Sequence, residues 1–356
     1  MDSTLDLLKT LTEASGVPGY EDPIRKVIHK YFESYGKIQK DQIGSLICAK
    51  AGKSSSPKVM LAGHMDEIGF MVKYITDDGF IKFLPLGGWF DQVLLSQRVI
   101  IHTSKGNVVG VIGVKPPHFI EKDKRGKVVE KKDMYIDIGA TSKKEVEEAG
   151  VKVGDPIVPR ADFNVLANGK TYMSKAFDDR VGIALMISIM ESLKEIDHPN
   201  MLYAAATVME EFSLSGAKTS VEIINPDVAI VLEAGLAGDV PDIKSEESPV
   251  GLGKGPNVLI YDAMMIPNLK LRDFVLSVAE EQDIPVQISA LEIGATDGAM
   301  IHTHKTGVPT IVIAVPARHV HTDSSMIHRD DYDRTVELIR EMLIKMDKEF
   351  VESLTN

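Results

Sequence analysis

The spacing of apolar residues divides the first seventy positions into two helices followed by two strands. Apolar side chains recur every three or four positions in residues 5–11 and again in residues 20–36, which predicts two amphipathic helices. The segments "SLICAK" (45–50) and "KVMLAGHMDEIGFMV" (58–72) are predicted as strands. The second is almost uniformly apolar before His64, which is typical of a strand buried inside a parallel sheet.

The pattern of apolar and polar residues changes between about residues 72 and 163. Short alternating segments such as "GFIKFLPLGG" and "QRVIIHTSKGNVVGVIGV" are separated by glycine-rich turns, and no helical period is sustained. The charged stretch 121–133 looks like a hairpin or a solvated loop. We therefore predict an all-β insert at 72–163, which divides an α/β domain into two parts, 1–71 and 164–356.

Helical and strand-like segments alternate again after the insert. This alternation predicts an α/β fold in which a doubly wound mixed sheet carries helices on both faces. The predicted strands are residues 200–209, 227–234 and 309–315, and the predicted helices are residues 180–196, 269–284 and 330–354.

Composition and charge narrow the class of protein. The 356 residues are 44% hydrophobic and 26% charged, as in ordinary globular proteins. The formal charge of -12 opposes general attraction to nucleic acid or to anionic lipid, so neither is an expected partner. Cys48 is the single cysteine, the opening residues lack the features of a secretory signal, and no apolar run is long enough to span a membrane. We expect a cytoplasmic location.

Potential catalytic groups follow the predicted strands at their carboxyl ends. In an open α/β sheet these ends meet at the crevice where ligands bind. One further acidic pair lies just before a predicted helix. The residues concerned are His64 and Asp66, Glu210 and Glu211, Glu233, His319 and His321, and the acidic pair Asp178 and Asp179.

Each of these residues also has an ordinary structural explanation. A histidine after a strand is often a satisfied core residue, the Asp178 and Asp179 pair could cap the next helix, and adjacent glutamates are usually solvated. Their convergence favours a functional interpretation, because several carboxylates in one crevice repel one another and require cations. Two divalent ions about 3.5–4 Å apart would supply that charge, activate a water and polarise a carbonyl for hydrolysis. Mixed imidazole and carboxylate ligands suit Zn²⁺, Co²⁺ or Mn²⁺ better than Ca²⁺.

Other catalytic chemistries have little support in the sequence. Cys48 lies in a predicted strand with no nearby histidine, and no G-x-S-x-G elbow occurs. The segment "GLGKGP" (251–256) lacks the ending of a phosphate-binding loop. Nucleophilic catalysis and nucleotide binding are therefore disfavoured.

Five ordered motifs resemble those of the M42 family of dinuclear metallo-aminopeptidases, which includes the tetrahedral TET peptidases. These motifs are "AGHMDEIGFMV", "KAFDDRVG", "VMEEFSLSGA", "EAGLAGD" and "ARHVHTDSSMIHRDDY", and the similarity extends over essentially the whole chain. The resemblance implies an aminopeptidase that removes N-terminal residues from peptides, an insert that acts as a dimerisation domain, and assembly into twelve-subunit tetrahedral shells. It also implies a cis peptide bond between Asp178 and Asp179.

The same resemblance implies a role for each site residue. Asp178 would bridge two metals, with His64 and Glu233 completing the ligands of one, and Glu211 and His321 those of the other. Glu210 would be the general base that takes a proton from the metal-bridging water and passes it to the leaving amine. Asp66 would hydrogen-bond the imidazole of His64, and His319 would be a neighbour of the site and not a ligand.

One position departs from the family pattern, because many relatives carry aspartate where this chain has Glu233. Two alternative functions stay open at this point. Some similar sequences carry a glucanase label, and glycosidases use two carboxylates without a metal. The change at Glu233 also leaves open a metal-binding assembly protein that has lost catalysis. Met264, Met265 and Ile266 hint at neutral apolar substrates, although core packing explains them equally well.

Overall fold

The computed structural model describes residues 2–355, with the backbone alone at Lys124. The α-helices are α1 (Ser3–Glu13), α2 (Asp22–Phe32), α3 (Lys143–Glu148), α4 (Phe177–Ser192), α5 (Glu210–Ser213), α6 (Ser215–Ile224), α7 (Leu269–Glu281), α8 (Gly298–Ile301), α9 (Arg329–Lys345) and α10 (Lys348–Ser353). The strands are β1 (Lys37–Lys40), β2 (Leu46–Ala51), β3 (Lys58–His64), β4 (Gly69–Ile75), β5 (Ile81–Leu86), β6 (Arg98–Thr103), β7 (Gly106–Gly113), β8 (Tyr135–Asp137), β9 (Pro156–Pro159), β10 (Asn164–Val165), β11 (Thr171–Ser174), β12 (Met201–Thr207), β13 (Val228–Leu236), β14 (Asn257–Tyr261), β15 (Gln287–Ala290), β16 (Thr310–Arg318) and β17 (Ser325–His328).

A mixed sheet of 11 strands forms the centre of the α/β domain. Its order is β1-β2-β12-β3-β13-β16-β17-β11-β10, and β14 pairs with both β15 and β16. The four central strands β12, β3, β13 and β16 are parallel, whereas the strands towards both ends of this order are antiparallel. The predicted mixed α/β sheet is therefore confirmed.

Helices cover both faces of this sheet because its central strands are apolar on both sides. Along β3, Val59 and Leu61 belong to a core formed with α1, α2, α4, α7 and α9. The alternating residues Met60 and Ala62 pack into a second core with α6 and α8. Each strand residue thus contacts one helix layer or the other, which explains the continuous apolar run in the sequence.

Strands β4 to β9 close into a separate barrel in the order β4-β5-β8-β7-β6-β9. The barrel has its own core, in which Trp89 stacks on Phe70 with ring centroids 4.9 Å apart. The indole N–H of Trp89 donates to the carbonyl oxygen of Gly69 at 3.0 Å. Closure leaves the barrel with no free strand edge, so it does not depend on the main sheet for hydrogen bonds.

Two details of the sequence-based prediction were wrong, and one pair of alternatives is decided by the structure. The run 58–72 is two strands in different sheets, because the chain leaves the main sheet after His64 and enters the barrel at Gly69. The closing helix breaks near Met346, where Asp347 caps α10 by accepting a hydrogen bond from the backbone N–H of Phe350 at 2.8 Å. The charged stretch 121–133, for which a hairpin and a solvated loop were both considered, is an exposed loop with two short 3₁₀ turns.

No helix among the described residues combines the length and the apolar composition that crossing a bilayer would require.

Candidate metal centre

The register of the parallel strands brings the predicted site residues to one edge of the sheet. Thr207, the last residue of β12, lies opposite His64, the last residue of β3. Glu233 lies in β13 opposite Ala314 of β16. His321 follows β16 by three residues, and Glu210 and Glu211 follow β12 by three and four. The strands themselves therefore determine which side chains share the crevice.

Asp178 lies between two imidazoles and offers one carboxylate oxygen to each. Its Oδ1 is 3.1 Å from Nε2 of His64, and its Oδ2 is 3.3 Å from Nε2 of His321. Asp178 is at the start of α4 but has non-helical backbone angles, and the peptide bond to Asp179 is cis, as the resemblance implied. A carboxylate with its two oxygens directed at separate imidazoles has the geometry of a bridging ligand.

The second imidazole is held by both domains. Nε2 of His321 lies 3.3 Å from Oε1 of Glu211, and its Nδ1 lies 2.7 Å from the carbonyl oxygen of Gly88 in the barrel. Because the carbonyl can only accept, Nδ1 carries the proton and Nε2 is the nitrogen available to a metal.

Glu233 and Glu210 both lie close to His64. One oxygen of each glutamate and one ring nitrogen of His64 lie within 4.8 Å of one another, and the same holds for His64, Asp178 and Glu211. The predicted ligands are thus gathered in one pocket, but Glu210, predicted to be the base, is also within ligand reach. His319 belongs to neither group, and the carbonyl oxygen of its backbone accepts from the Thr322 hydroxyl.

Asp66 makes different hydrogen bonds from those implied by the resemblance. Its backbone oxygen lies 3.0 Å from Nδ1 of His64, whereas its carboxylate Oδ1 is 3.6 Å away, beyond hydrogen-bond range. The two carboxylate oxygens instead accept the backbone N–H groups of Glu210 and Glu211, each at 3.1 Å. The side chain of Asp66 therefore fixes the short helix that carries both glutamates.

Burial has the largest effect on the pKa values of Glu210, Glu211 and Glu233. Burial and mutual repulsion raise the pKa of Glu210 and that of Glu233 well above the ordinary value, although His64 opposes the shift. Burial likewise raises the pKa of Glu211, against hydrogen bonding to His321. These groups resist carrying negative charge together unless a cation is present.

The pKa values of the two imidazoles are also raised, whereas that of Asp178 is lowered. Burial disfavours protonation of His321, yet hydrogen bonds and charge from Asp178 and Glu211 raise its pKa to about 11. His64, fully buried, also has its pKa raised, because Glu210, Asp178 and Asp66 outweigh desolvation. Burial raises the pKa of Asp178, but hydrogen bonds to the two imidazoles overcome it and leave that pKa below its usual value. Protonated imidazoles thus supply the positive charge that the carboxylates require.

The residues present fit a pair of divalent cations. Oε1 of Glu211 is buried, and its only ion-pair partner among the described residues is Nε2 of His321 at 3.3 Å, so the burial of this carboxylate oxygen is poorly compensated. Within the described chain, Asp178 and Glu211 form ion pairs only with imidazoles. Imidazole nitrogens and carboxylate oxygens are the donor set of Zn²⁺, Co²⁺ and Mn²⁺ sites.

Several residues support the site in ways that the sequence did not predict, although Asp179 was named there as one half of an acidic pair. Asp179 accepts the backbone N–H of His64 and that of Gly182, each at 3.0 Å. Glu67 pairs with Lys175, and Asp297 accepts from the Thr207 hydroxyl at 2.5 Å. Asp179 and Glu67 both lie within the five motifs, so their positions could have drawn attention to them. Their spacing in the sequence, however, does not distinguish supporting residues from metal ligands.

The chain is similar to known aminopeptidases along most of its length. The family profile described as M42 glutamyl aminopeptidase matches residues 44–338. The glutamyl aminopeptidase of Lactococcus lactis is 31% identical over 99% of both chains, and the lysyl aminopeptidase of Pyrococcus furiosus is 33% identical over 95% of this chain and 96% of its own.

Solved structures extend the likeness to three dimensions. A TET aminopeptidase from a marine sediment Thaumarchaeota archaeon superposes with a TM-score of 0.97 at 44% identity, covering 99% of both chains. The TET1 peptidase of Pyrococcus horikoshii, which can assemble into a tetrahedron or a large octahedral shell, gives 0.86 at 32%, covering 97% of this chain and 100% of its own. A Thermotoga maritima protein described as an endoglucanase gives 0.78 at 30%, covering 98% and 99%.

Proposed function

The chain belongs to the M42 glutamyl aminopeptidase family and is a metal-dependent aminopeptidase, and from that premise we propose that two divalent ions bind at the sheet edge and that Glu210 is the general base. Asp178 would bridge the ions, with His64 and Glu233 on one side and Glu211 and His321 on the other. The observation that carries this assignment is the placement of the two Asp178 oxygens against two different imidazoles.

When bound, the two ions lower the pKa of a water and polarise the carbonyl of the scissile peptide. The chain supplies the remaining steps. Glu210, held by its own N–H to Asp66, accepts a proton from the attacking water. As the carbon–nitrogen bond breaks, Glu210 returns that proton to the leaving amine. Burial raises the pKa of Glu210, which makes its carboxylate a stronger base for the first of these steps.

Adjacent glutamates divide these two tasks because α5 sends their side chains to different partners. Oε2 of Glu210 lies 3.8 Å from Nε2 of His64, whereas Oε1 of Glu211 lies 3.3 Å from Nε2 of His321. One carboxylate thus faces the His64 side of the site while the other completes the His321 side. This division accounts for two consecutive carboxylates after an apolar strand.

Zn²⁺ or Co²⁺ is the cation that the donor set favours, with Mn²⁺ as a further candidate. The substrates would be peptides with a free N-terminus. The relatives include both glutamyl and lysyl aminopeptidases, so the family does not by itself select the N-terminal residue. A cytoplasmic location and a homo-oligomeric assembly, built from dimers into a dodecamer, complete the proposal.

Replacement of Glu210 by glutamine tests the assigned base. General-base catalysis contributes about 10²- to 10⁴-fold, so kcat in Glu210→Gln should fall within that range while both metals still bind. The matched control is Glu195→Gln, which makes the same change at an exposed glutamate. Wild-type turnover in Glu210→Gln would remove Glu210 from this role, and loss of one metal would make it a ligand.

A glycosidase activity is the second candidate, favoured only by the names of structural neighbours such as the Thermotoga protein described as an endoglucanase. A chelator distinguishes the two chemistries, because glycosidases with two carboxylates need no metal. We expect hydrolysis of aminoacyl-p-nitroanilides to vanish on chelation and to return with Co²⁺ or Zn²⁺. Hydrolysis of β-glucan that survives chelation would establish the second activity. No turnover on any aminoacyl substrate would point to an assembly protein that has lost catalysis.

A further inference from the structure

Two segments of the chain that carry metal ligands are joined by contacts that the proposed mechanism does not use. One is the turn after β3, residues 64–67, and the other is the segment 175–182 that leads into α4. The backbone N–H of His64 donates to Asp179 at 3.0 Å, and Nε of Arg180 donates to the carbonyl oxygen of Met65 at 2.7 Å. The third contact is an ion pair centred on Glu67.

Glu67 contacts both flanks of Asp178. Both of its oxygens accept from Nζ of Lys175, at 2.8 and 2.7 Å, and Oε1 lies 3.6 Å from NH2 of Arg180. Oε1 also accepts the backbone N–H of Gly16 at 3.2 Å. Lys175 is three residues before Asp178 and Arg180 is two residues after it, so one carboxylate holds the segment at both ends.

All three charged side chains are buried, with exposed fractions of 1% for Glu67, 4% for Lys175 and 0% for Arg180. Buried ion pairs contribute little net stability, because desolvation offsets most of the attraction, and well-packed apolar residues often do as well. What such a pair adds is geometry, since an ammonium held by two carboxylate oxygens has a restricted position. The cluster therefore suits alignment better than stabilisation.

The backbone beside Lys175 requires such a restraint. Ala176 has a φ of 57°, in the left-handed region that residues with a Cβ rarely adopt. Ala176 precedes α4, and its backbone conformation leads the chain from Lys175 into the segment that carries Asp178. Strained backbone persists when surrounding contacts over-determine it, and the contacts of Lys175 and Arg180 do so on both sides.

We propose that Glu67 is a positioning residue for the metal centre, which sets the location of the bridging Asp178 carboxylate relative to His64 by holding Lys175 and Arg180. The inference rests on the proposed two-metal site. Glu67 is in neither of the residue groups placed to hold a metal, and it acts through the segment that carries Asp178.

Binding of Co²⁺ to Glu67→Gln in the full chain tests this role. The variant keeps the size of the side chain and one oxygen acceptor but loses the charge that holds the cations. Groups that orient metal ligands typically contribute 10- to 100-fold, so Co²⁺ affinity should weaken by about that factor. The visible spectrum of the Co²⁺-loaded protein should also change, and at saturating Co²⁺ kcat should fall more than KM rises.

A matched control separates alignment from general loss of a buried carboxylate. Asp331 is fully buried and accepts the backbone N–H groups of Gly253 and Gly255, each at 2.6 Å, away from the metal ligands. Asp331→Asn should lower the melting temperature but leave the Co²⁺ affinity and spectrum unchanged. The double variant Glu67→Gln with Lys175→Met also removes the buried ammonium that Glu67→Gln alone would leave without a negative partner. It therefore provides a test in case the single variant does not fold. It should recover stability while the Co²⁺ spectrum stays altered.

Co²⁺ affinity and spectrum equal to wild type in either Glu67 variant would overturn this role, whatever happens to the melting temperature. A wild-type protein that binds no Co²⁺ would instead overturn the proposed two-metal site on which the role depends. The two failures are therefore distinguishable in one set of titrations.

Discussion

At the scale of single residues, the site couples metal binding to protonation. Two imidazoles are held protonated by carboxylates whose own charges are disfavoured by burial. At the proposed site a divalent cation would replace those protons, because the imidazoles bind it when neutral and the carboxylates when charged. Metal and proton therefore compete for the same atoms.

This competition predicts that metal affinity rises with pH. The pKa of His321 is raised to about 11, so near neutral pH the metal must displace its proton. Affinity should increase about tenfold per pH unit for each proton displaced, because one unit corresponds to a factor of ten in the equilibrium. Calorimetric titration of Co²⁺ in buffers with different ionisation enthalpies measures the protons released. Binding with no proton release would contradict the assigned ligands.

The sign of the stability change in the metal-free protein follows from the same shifts. A histidine whose folded pKa is raised contributes stability that is complete below its unfolded pKa and is lost as the pH rises towards the folded value. The buried glutamates act in the same direction, because their raised pKa means that folding favours their protonated form. The melting temperature of the metal-free protein should therefore fall above neutral pH, and bound metal should remove most of that fall.

Asp297 offers a test on a residue that is not a proposed ligand. Burial raises its pKa to about 6, and its Oδ1 has no hydrogen-bond partner among the described residues. The folded pKa lies above the ordinary value of 3.8, so stability is lost as the pH rises through about 6. We expect metal-free Asp297→Asn to melt at a higher temperature than wild type at pH 8 and at a similar temperature at pH 4. Equal melting temperatures of the variant and the wild type at pH 8 would show that burial of the charged Asp297 carboxylate does not destabilise the fold.

At the scale of elements, a barrel loop completes the site of the α/β domain. The carbonyl oxygen of Gly88 in this loop accepts from Nδ1 of His321, and Gly87 lies directly against Glu211, a proposed metal ligand. A Cβ on Gly87 would be 2.4 Å from Ile68 and 3.1 Å from Oε2 of Glu211. The φ of Gly87 is 88°, which also disfavours any residue with a side chain.

Gly87→Ala should therefore reduce activity by displacing the loop. The added methyl group cannot fit between Ile68 and Glu211, so the Gly88 contact with His321 should be lost and kcat/KM should fall by at least about tenfold. The control is Gly106→Ala at the tip of the β6–β7 hairpin, where φ is 125° and no atom lies within 4 Å of the added Cβ. It carries similar backbone strain without the clash. Equal activities of the two variants would show that the loop does not hold His321.

At the scale of the whole molecule, the barrel presents apolar side chains to solvent. Val109 and Val111 of β7 are 48% and 38% exposed, and they alternate with the buried Gly110 and Ile112. This outward face supports the proposal that the insert mediates dimerisation, as an apolar patch on a surface often marks a contact with another chain. The Pyrococcus horikoshii TET1 relative assembles into large shells.

Replacing both valines by glutamate should disrupt the assembly without unfolding the chain. Val109→Glu with Val111→Glu places like charges on both sides of a self-complementary contact, which opposes association. Light scattering with size-exclusion chromatography should show smaller particles than wild type, while circular dichroism stays unchanged because both positions are exposed. An unchanged particle mass would place the interface elsewhere.

The sequence by itself determined the class of fold and the identity of the clustered residues. Strand periodicity and the polar residues that follow each apolar run predicted a mixed α/β sheet with His64, Glu211 and His321 at one edge. This succeeded because parallel strands end on the same side, so position along the chain fixes position in space. The break in the run 58–72 was missed, because two consecutive apolar strands and one long strand give the same local pattern.

Only the tertiary structure decided how the site is supported. The carboxylate of Asp66 binds the N–H groups of Glu210 and Glu211 instead of His64, Glu67 pairs with Lys175 from a distant segment, and Gly88 of the barrel holds His321. Each of these contacts joins residues more than 100 positions apart in the sequence. For Asp66, the choice of acceptor for His64 also depends on a difference of less than 1 Å between its backbone oxygen and its carboxylate. Local sequence patterns determine which helices and strands form. The hydrogen-bond partners of the proposed ligands depend on distances between elements, and those distances are set only when the elements pack together.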